Sequence, residues 1–296
     1  MSDASMHVCV GPDASQLIGF LCSLGLLEAG TRSLPDRVVR LGFTWQAVGF
    51  RPVVTVDPPI DRREIVDRLH GWIAARAHSP VLEALGDDLP CDARCFETVA
   101  RELLAAGDAV SSALLAACGV ARSGVERIGD TAFRTMNGAG HQHFLQFARV
   151  IASKTTPGQL ERTLFGPWTY EDDKPSLRFD PADDRRHALR ADDPSNAASR
   201  APIRTERAAN ALAFEGLALL PVVPTSRGVE TTLVYHEEGF FRIRWSLWER
   251  PLSRDAAASL LACPPVSPQP GVIAVFEARR LTVDKYRSFT PARRLQ

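Results

Sequence analysis

Carboxylates and a histidine occur together in the segment Asp180 to His187, which reads DPADDRRH. Asp183, Asp184 and His187 are of the types that hold a divalent metal or move protons, so they could serve a metal-dependent nuclease or hydrolase. Such chemistry needs a second acidic cluster, and the sequence has no obvious one. A nucleophile motif of the GxSxG type is also absent. We therefore favour a loop whose carboxylates are solvated or paired with neighbouring arginines, some of which reach a phosphate backbone.

A glycine-containing turn, Asn137-Gly138-Ala139-Gly140-His141, precedes an amphipathic helix. Amide groups at a helix N-terminus, on a backbone that a ligand can approach closely, form a site for phosphate or another anion. An ordinary connecting turn is an equally good interpretation, because the turn matches neither a Walker loop nor GxGxxG. His141 and His143 are two residues apart, whereas metal ligands on a helix are three or four apart. We interpret both as surface or nucleic-acid-contacting residues.

Arginine supplies most of the positive charge, since the chain has only three lysines. The planar guanidinium group binds phosphate bidentately. In the C-terminal tail, Lys285 and Arg287 alternate with Tyr286 and Phe289, and cations beside aromatic rings suit RNA or a single strand. A protein interface uses the same residue types. The candidate nucleic-acid-binding residues are Asn137, Gly138, His141, His143, Arg178, Arg185, Arg186, Arg190, Arg204, Arg207, Lys285 and Arg287.

The overall composition is that of an ordinary globular protein, with 45% apolar residues and a formal net charge of zero. The total charge therefore gives no support for a nucleic-acid partner, although residues 151–296 are mildly basic, with 21 basic and 18 acidic side chains. Cys91 and Cys95 make up only half of a zinc site, so we expect reduced thiols and no metal or cofactor. Without a signal peptide or an apolar run of about 18 residues, we expect a cytoplasmic protein that does not contact a membrane.

The start of the chain predicts a short strand followed by a buried helix. The strand is expected at residues 7–11 (HVCVG). The run QLIGFLCSLGLLEAG that follows is apolar on most faces, which indicates a helix packed on all sides. We expect Asp13 or Ser15 to cap its N-terminus and Gly30 to end it.

The next segments predict a hairpin and then helices. Two β-rich runs, VVRLGFTWQAV and FRPVVTVD, are joined by a short connection containing Gly49. Helical spacing over residues 61–122 predicts three or four helices, and the run GHQHFLQFARVIASK predicts another. We group these elements in an N-terminal α/β region with a helical cluster, residues 1–155.

The remaining residues, 156–296, form a C-terminal α+β region with an arginine-rich loop and a basic tail. A helix is expected to begin at Pro157, and residues 166–205 read as a long loop. A hairpin is expected around Glu238-Gly239. Strands and helices are interspersed without a βαβ rhythm, so we predict an α+β fold with mixed, mostly antiparallel strands, a helical cluster and a long central loop.

Several blocks of the sequence, taken in order, resemble one family. They are GPDASQLIGFLCSLGLLEA, NGAGHQHFLQFARVI, LFGPW, SLRFDPADDRRHALRADDPS, the stretch from Pro202 to Pro224 and YRSFTPAR. Together they span most of the chain and look like a CRISPR-associated subunit family of the type I-G (formerly I-U) systems.

The resemblance implies a non-catalytic, large-subunit-like component of a Cascade-type effector complex, with guide RNA, target DNA and other Cascade subunits as partners. In such complexes base pairing reads the sequence, whereas protein reads backbone shape and a short flanking motif. The positions that match are the turn from Asn137 to His143 and the loop from Asp180 to Arg190. Two alternatives stay open: the metal-dependent nuclease described above, and a structural protein-interaction module that does not touch nucleic acid.

Overall fold

A computed structural model describes residues 4–47, 49–136, 138, 141–181, 204–226, 228–265, 269–283 and 286–296. The fold is α+β with antiparallel sheets, as predicted. The helices are α1 (Leu17–Ser33), α2 (Arg62–Arg76), α3 (Pro80–Leu85), α4 (Ala93–Ala106), α5 (Ala109–Cys118), α6 (Phe144–Lys154), α7 (Pro157–Phe165), α8 (Arg207–Gly216) and α9 (Arg254–Ala262). The strands are β1 (Ser5–Val8), β2 (Val38–Gln46), β3 (Gly49–Asp57), β4 (Gly119–Val120), β5 (Gly129–Asp130), β6 (Asp172–Asp173), β7 (Arg204–Thr205), β8 (Val222–Thr225), β9 (Gly228–Thr231), β10 (Val234–Glu237), β11 (Phe240–Trp248), β12 (Leu252–Ser253), β13 (Val272–Val283), β14 (Tyr286–Phe289) and β15 (Arg293–Arg294).

The first sheet has the strand order β1-β3-β2-β12. Alternate residues of its long strands, such as Leu41, Phe43 and Val54, are buried, as expected for a strand with one face on the core. β2 and β3 pair from Val38–Asp57 to Gln46–Gly49, so the predicted hairpin is confirmed. Helix α1 packs against β2 and is buried from its first turn to Gly30.

Both predicted boundaries of α1 were wrong. The residue that precedes the helix is Gln16, and no side chain caps it. Asp13 instead accepts hydrogen bonds from the backbone N–H groups of Ser15 (3.0 Å) and Phe50 (3.2 Å), which tie the entry of the helix to β3. Gly30 does not end the helix, which continues to Ser33. Packing, and not local capping signals, sets both ends.

The closest helix contact in the core is between α1 and α8. A Cβ atom built on Gly25 would lie 1.7 Å from the carbonyl oxygen of Leu212, and one built on Gly216 would lie 2.4 Å from that of Leu21. Glycines on both helices therefore let the two backbones approach each other closely. Because α1 lies in the first sequence region and α8 in the second, these two regions share one hydrophobic core.

Helices α2 to α5 form the predicted cluster, and α7 begins at Pro157 as expected. A capping box of Thr156 and Gln159 stabilises the start of α7. The cluster is tied to α8 by the buried Glu215, whose carboxylate accepts hydrogen bonds from the guanidinium group of Arg76 (2.7 Å) and the indole N–H of Trp72 (2.7 Å).

The second sheet has the order β10-β11-β13-β14, with β15 also paired to β13. The predicted hairpin around Glu238-Gly239 is confirmed: both residues have positive φ, which suits a tight two-residue turn. Over part of its length, one face of β11 belongs to the core. There Trp245 is fully buried, stacks on Phe20 and donates its indole N–H to the carbonyl oxygen of Ala14 (2.9 Å).

Candidate nucleic-acid interface

Asp88, Arg134 and Asp130 form a line of charged side chains between the loop before α6 and the second sheet, which we call the charged line. Arg134 is only 8% exposed and lies between two carboxylates. Its Nε atom is 2.5 Å from Asp130, and an Nη atom is 3.9 Å from Asp88. The Nδ1 atom of His143 is 3.7 Å from the same Asp88 oxygen. Arg134 is not among the residues predicted from the sequence, yet it lies at the centre of this group.

The N-terminus of α6, which the sequence offered as an anion site, has a carboxylate of the protein beside it. Asp88 accepts the backbone N–H of Phe144, the first residue of α6, at 3.2 Å. Favourable interaction with the positive end of the helix dipole and with Arg134 explains its position. The Asp88 carboxylate would repel an external phosphate at this helix N-terminus, which is therefore a poor anion site.

The loop before α6 contains two residues with left-handed backbone conformation, Gly138 (φ 71°) and His141 (φ 58°). The Gly138 N–H donates to the carbonyl oxygen of Gln142 at 3.1 Å, which closes the loop. His141 is exposed, whereas His143 is half-buried next to Asp88. A left-handed conformation is uncommon in a non-glycine residue and is found more often at functional sites.

Arg178 reaches the same loop from another part of the chain. Its guanidinium group contacts the side-chain oxygen of Gln142, and its own backbone has a positive φ of 59°. The neighbouring Leu177 is fully buried and is fixed by hydrogen bonds from Thr135 (2.8 Å, to its carbonyl) and to Asn210 (2.8 Å, from its N–H). Two predicted residues, Arg178 and His143, are thus brought to one loop.

Arg204 and Arg207 lie at a different place and are engaged with acidic residues of the protein. Arg204 forms an ion pair with Asp173 at 2.7 Å. Arg207 donates its backbone N–H to Asp172 (2.9 Å) and a guanidinium N–H to the carbonyl oxygen of Asp173 (2.9 Å). These arginines join the start of α8 to β6, and Asp173 compensates the charge of Arg204.

A cleft of about 790 Å³ opens between the β8–β9 hairpin and the free end of the second sheet. Polar residues line the cleft on both sides. They are Asp130 at the end of the charged line, its neighbour Thr131, Glu230 on β9, Arg280 on β13 and Arg287 on β14. The Ala132 N–H donates to the Thr231 hydroxyl at 2.9 Å, which holds the hairpin against the charged line. The volume is within the range of about 300–1,000 Å³ that is typical of small-ligand sites.

One face of the second sheet is apolar where it packs on the core and carries an arginine and exposed aromatic side chains where it lines this cleft. The buried row that includes Ile243 and Ala278 is followed by the cross-strand pair Phe241 and Arg280. The Arg280 guanidinium carbon lies 4.0 Å from the centre of the Phe241 ring. The centre of the His236 ring, on β10, lies 5.1 Å from the centre of the same Phe241 ring. Because side chains alternate along a strand, these residues share the face that lines the cleft.

Arg280 and Arg287 are cations with little compensation. Burial, together with repulsion from Arg287 and Arg134, lowers the pKa of Arg280 to about 10. Burial and the nearby Arg134 also lower the pKa of Arg287. Both stay charged at neutral pH. Their hydrogen bonds within the described residues go to carbonyl oxygens, those of Ala132 (2.9 Å) and Arg134 (3.3 Å), and neither has an ion pair there.

Three other arginines of the second sheet share one buried carboxylate on its opposite face. Glu277 is 1% exposed, and its carboxylate accepts hydrogen bonds from Arg242 (3.0 Å), Arg244 (2.8 Å) and Arg293 (2.7 Å). These arginines hold the pKa of Glu277 below its usual value against the opposing effect of burial. Arg242, Arg244 and Arg293 are therefore ion-paired on one face of the sheet, whereas Arg280 and Arg287 on the cleft face have no ion pair within the described residues.

Of the predicted residues, Gly138, His143, Arg178 and Arg287 lie along one connected path, and His141 lies on its exposed loop. Arg204 and Arg207 do not belong to it. Some predicted positions lie outside the described residues: Asn137, Arg185, Arg186, Arg190 and Lys285, and with them the alternative acid–base set Asp183, Asp184 and His187. Arg134, Arg280 and Phe241 were missing from the predicted set. The signal for the last two was the pair of strands FFRIRWSLW and GVIAVFEARRL, whose pairing brings Phe241 opposite Arg280.

Within the described part of the chain, no group of three or more His, Cys, Asp or Glu side chains is placed to hold a metal ion. Nor does any helix in that part have the length and apolar character needed to cross a membrane. No protein-family model matches the chain, and neither a curated protein nor a solved structure matches it.

Proposed function

We propose that this chain is a non-catalytic subunit of a type I CRISPR RNA-guided surveillance complex. In that role it helps to bind guide RNA and target DNA, and it contributes to recognition of the flanking motif. The observation that carries the proposal is the cleft beside the exposed ring of Phe241, where Arg280 and Arg287 have no ion pair within the part of the chain that the structure describes. Phosphate oxygens are the acceptors that complete such guanidinium groups, and they supply the missing negative charge.

The arrangement suits binding better than catalysis. Guanidinium groups and aromatic rings hold a nucleic-acid backbone and its bases without cutting them. In an RNA-guided complex, pairing with the guide reads the sequence, so a subunit needs cations and loops at defined places and not a nucleophile. Neighbouring subunits would supply further phosphate contacts, which is consistent with a chain of zero net charge. The cytoplasm, where guide and target meet, is the compartment that this role requires.

The decisive experiment is reconstitution of the complete complex with its guide RNA and sister subunits. We expect the wild-type chain to co-purify with them. The variant Arg280→Ala/Arg287→Ala should assemble but bind target DNA about 10-fold or more weakly, with a salt dependence reduced by roughly one unit of slope per lost phosphate contact.

A variant with the same charge change serves as the control. Arg94 is exposed on α4, and Arg279 faces away from Arg280 on the same strand, with its guanidinium group over Phe240. Arg94→Ala/Arg279→Ala should bind target DNA within a factor of about two of wild type. If a complex that lacks this chain assembles and binds its target equally well, the proposed function is wrong.

A further inference from the structure

The cleft face of the second sheet presents a row of side chains across four strands, β10, β11, β13 and β14. Cross-strand pairing joins His236 to Phe241 and Phe241 to Arg280. Arg287 and Thr282 form the next pair, between β13 and β14, two residues further along β13 on the same face. An imidazole, a phenyl ring and two guanidinium groups therefore follow one another on a rigid sheet, at the edge of a cleft.

Phe241 has an unusual setting for a phenylalanine on this face. Ile243, the next residue of β11 on the same side, is 1% exposed, whereas Phe241 is 36% exposed. Arg280 packs against the ring at 4.0 Å, which keeps the guanidinium group over the aromatic surface and orients it in the cleft. An exposed ring beside an unpaired cation offers a surface for a planar base together with a position for its phosphate.

Two of the three acidic residues that line the cleft are engaged by arginines of the protein. Asp130 forms an ion pair with Arg134 at 2.5 Å, and Glu237 accepts a hydrogen bond from Arg244 at 2.7 Å. Glu230 has no ion pair within the described residues and lies on the β9 side of the cleft. Its carboxylate opposes a phosphate but accepts hydrogen bonds from the amino group of a base. The cleft thus has an unpaired carboxylate on β9 and a cationic, aromatic face on the sheet.

We propose that this cleft binds an unpaired stretch of polynucleotide, with one base against Phe241 and an adjacent phosphate on Arg280 and Arg287. This inference rests on the proposed function and narrows it to single strands. In a duplex each base is stacked inside the helix and shows only its edge in a groove, so no base face can reach Phe241. An RNA strand and a DNA strand share the chemistry that the cleft recognises.

The test measures fluorescence anisotropy of the purified full-length chain with labelled oligonucleotides of one sequence, as single-stranded RNA, single-stranded DNA and duplex DNA. We expect at least one single strand to bind about 10-fold or more tightly than the duplex. Phe241→Ala should weaken single-strand binding by about 5- to 150-fold with an unchanged salt slope, since a stacked base and not a charge is lost. Phe241→Trp should restore it.

Phe240→Ala is the matched control, because Phe240 is the adjacent residue of β11 and lies on the other face of the sheet. It should leave the affinity within about two-fold of wild type, and thermal melting should show that both alanine variants are folded. Equal binding of duplex and single strand, or equal effects of Phe241→Ala and Phe240→Ala, would overturn the inference.

The two proposals fail in different ways. If Arg280→Ala/Arg287→Ala impairs target binding by the assembled complex while Phe241→Ala does not, the function stands and single-strand stacking is wrong. If the chain neither joins the complex nor binds any of the oligonucleotides, both are wrong. If single-stranded RNA alone binds, the cleft binds the guide RNA. If single-stranded DNA alone binds, the cleft binds a strand of the target DNA. Either result supports the inference.

Discussion

Gly25, in the middle of α1, offers a sharp test of the contact that unites the two halves of the chain. A Cβ atom at this position would lie 1.7 Å from the carbonyl oxygen of Leu212 on α8, whereas ordinary contact begins near 3.4 Å. The change Gly25→Ala therefore forces the two backbones apart by roughly 1.5 Å. At Gly30 on the same helix, the nearest atom to such a Cβ is Val39 Cγ1 at 3.4 Å, which is an ordinary contact.

Both substitutions gain helix propensity, but only Gly25→Ala also introduces a steric clash with a neighbouring backbone. Replacing glycine with alanine inside a helix gains about 1 kcal/mol at either position. Gly30→Ala should keep part of this gain, so we expect its free energy of unfolding to rise by about 0–1 kcal/mol. Overpacking a core costs about 1–3 kcal/mol, and at Gly25 the obstacle is backbone that cannot rotate away. We therefore expect Gly25→Ala to lower the free energy of unfolding by about 2 kcal/mol, which is the upper end of this cost less the gain in helix propensity.

Urea denaturation followed by tryptophan fluorescence and circular dichroism measures the difference directly. A large separation of the two midpoints, at similar m-values, is the expected result. Equal midpoints for Gly25→Ala and Gly30→Ala would refute the close approach of α1 and α8. A lower m-value for Gly25→Ala alone would indicate that the two halves of the chain no longer unfold together.

Three further predictions concern the charges around the site. Glu230→Gln removes a negative charge from the cleft, so single strands should bind about 1.5- to 5-fold more tightly at low salt, with the gain lost at high salt; unchanged binding in an anisotropy titration would contradict this. Asp88→Ala deprives the Phe144 N–H of its acceptor and should lower the free energy of unfolding by about 1–2 kcal/mol in urea, whereas Asp88→Asn, which keeps an acceptor, should cost less. The pKa of Glu277 is lowered in the folded protein, so its ion pairs stabilise the fold above the unfolded-state pKa of about 4.3, and that stabilisation is lost as the pH falls through the lower, folded pKa. The difference in unfolding free energy between wild type and Glu277→Gln should therefore be constant between about pH 6 and 8 and shrink below about pH 4; a difference that grows on acidification would contradict it.

Much of the fold could be predicted from local patterns. Pro157 after a threonine, and the Glu238-Gly239 turn between alternating strands, have local chemistry that leaves few choices. The ends of α1 could not be predicted in this way. Asp13 has the right chemistry for a cap, but its carboxylate is used by the Phe50 N–H on β3. Gly30 is a good helix terminator, yet the helix passes through it to Ser33, because a tertiary contact outweighs a local preference of about 1 kcal/mol.

The site was less predictable because it depends on strand register and on residues far apart in the sequence. The basic tail drew attention to Arg287, and the glycine-rich turn to Gly138 and His143. Arg280 and Arg279 are adjacent and chemically identical, so composition cannot tell which one faces the cleft. Only the pairing of Phe241 with Arg280 settles it. Arg134 had no local signal, since its importance comes from Asp88 and Asp130 on either side of it.

A net charge of zero was the strongest argument against a polyanionic ligand, and the distribution of ion pairs weakens it. Charges separated by more than about 8–10 Å are largely screened at physiological salt, so a ligand responds to the local balance and not to the total. Within the described residues, Glu277 forms ion pairs with three arginines on the far face of the second sheet. Glu28, on α1, forms ion pairs with Arg32 of the same helix and Arg254 of α9. Along the cleft side, Asp88 and Asp130 are ion-paired with Arg134, whereas Arg280 and Arg287 form no ion pair among the described residues. A neutral chain can therefore hold a phosphate backbone at one place, because other arginines already engage two of the acids there, Asp130 and Glu237.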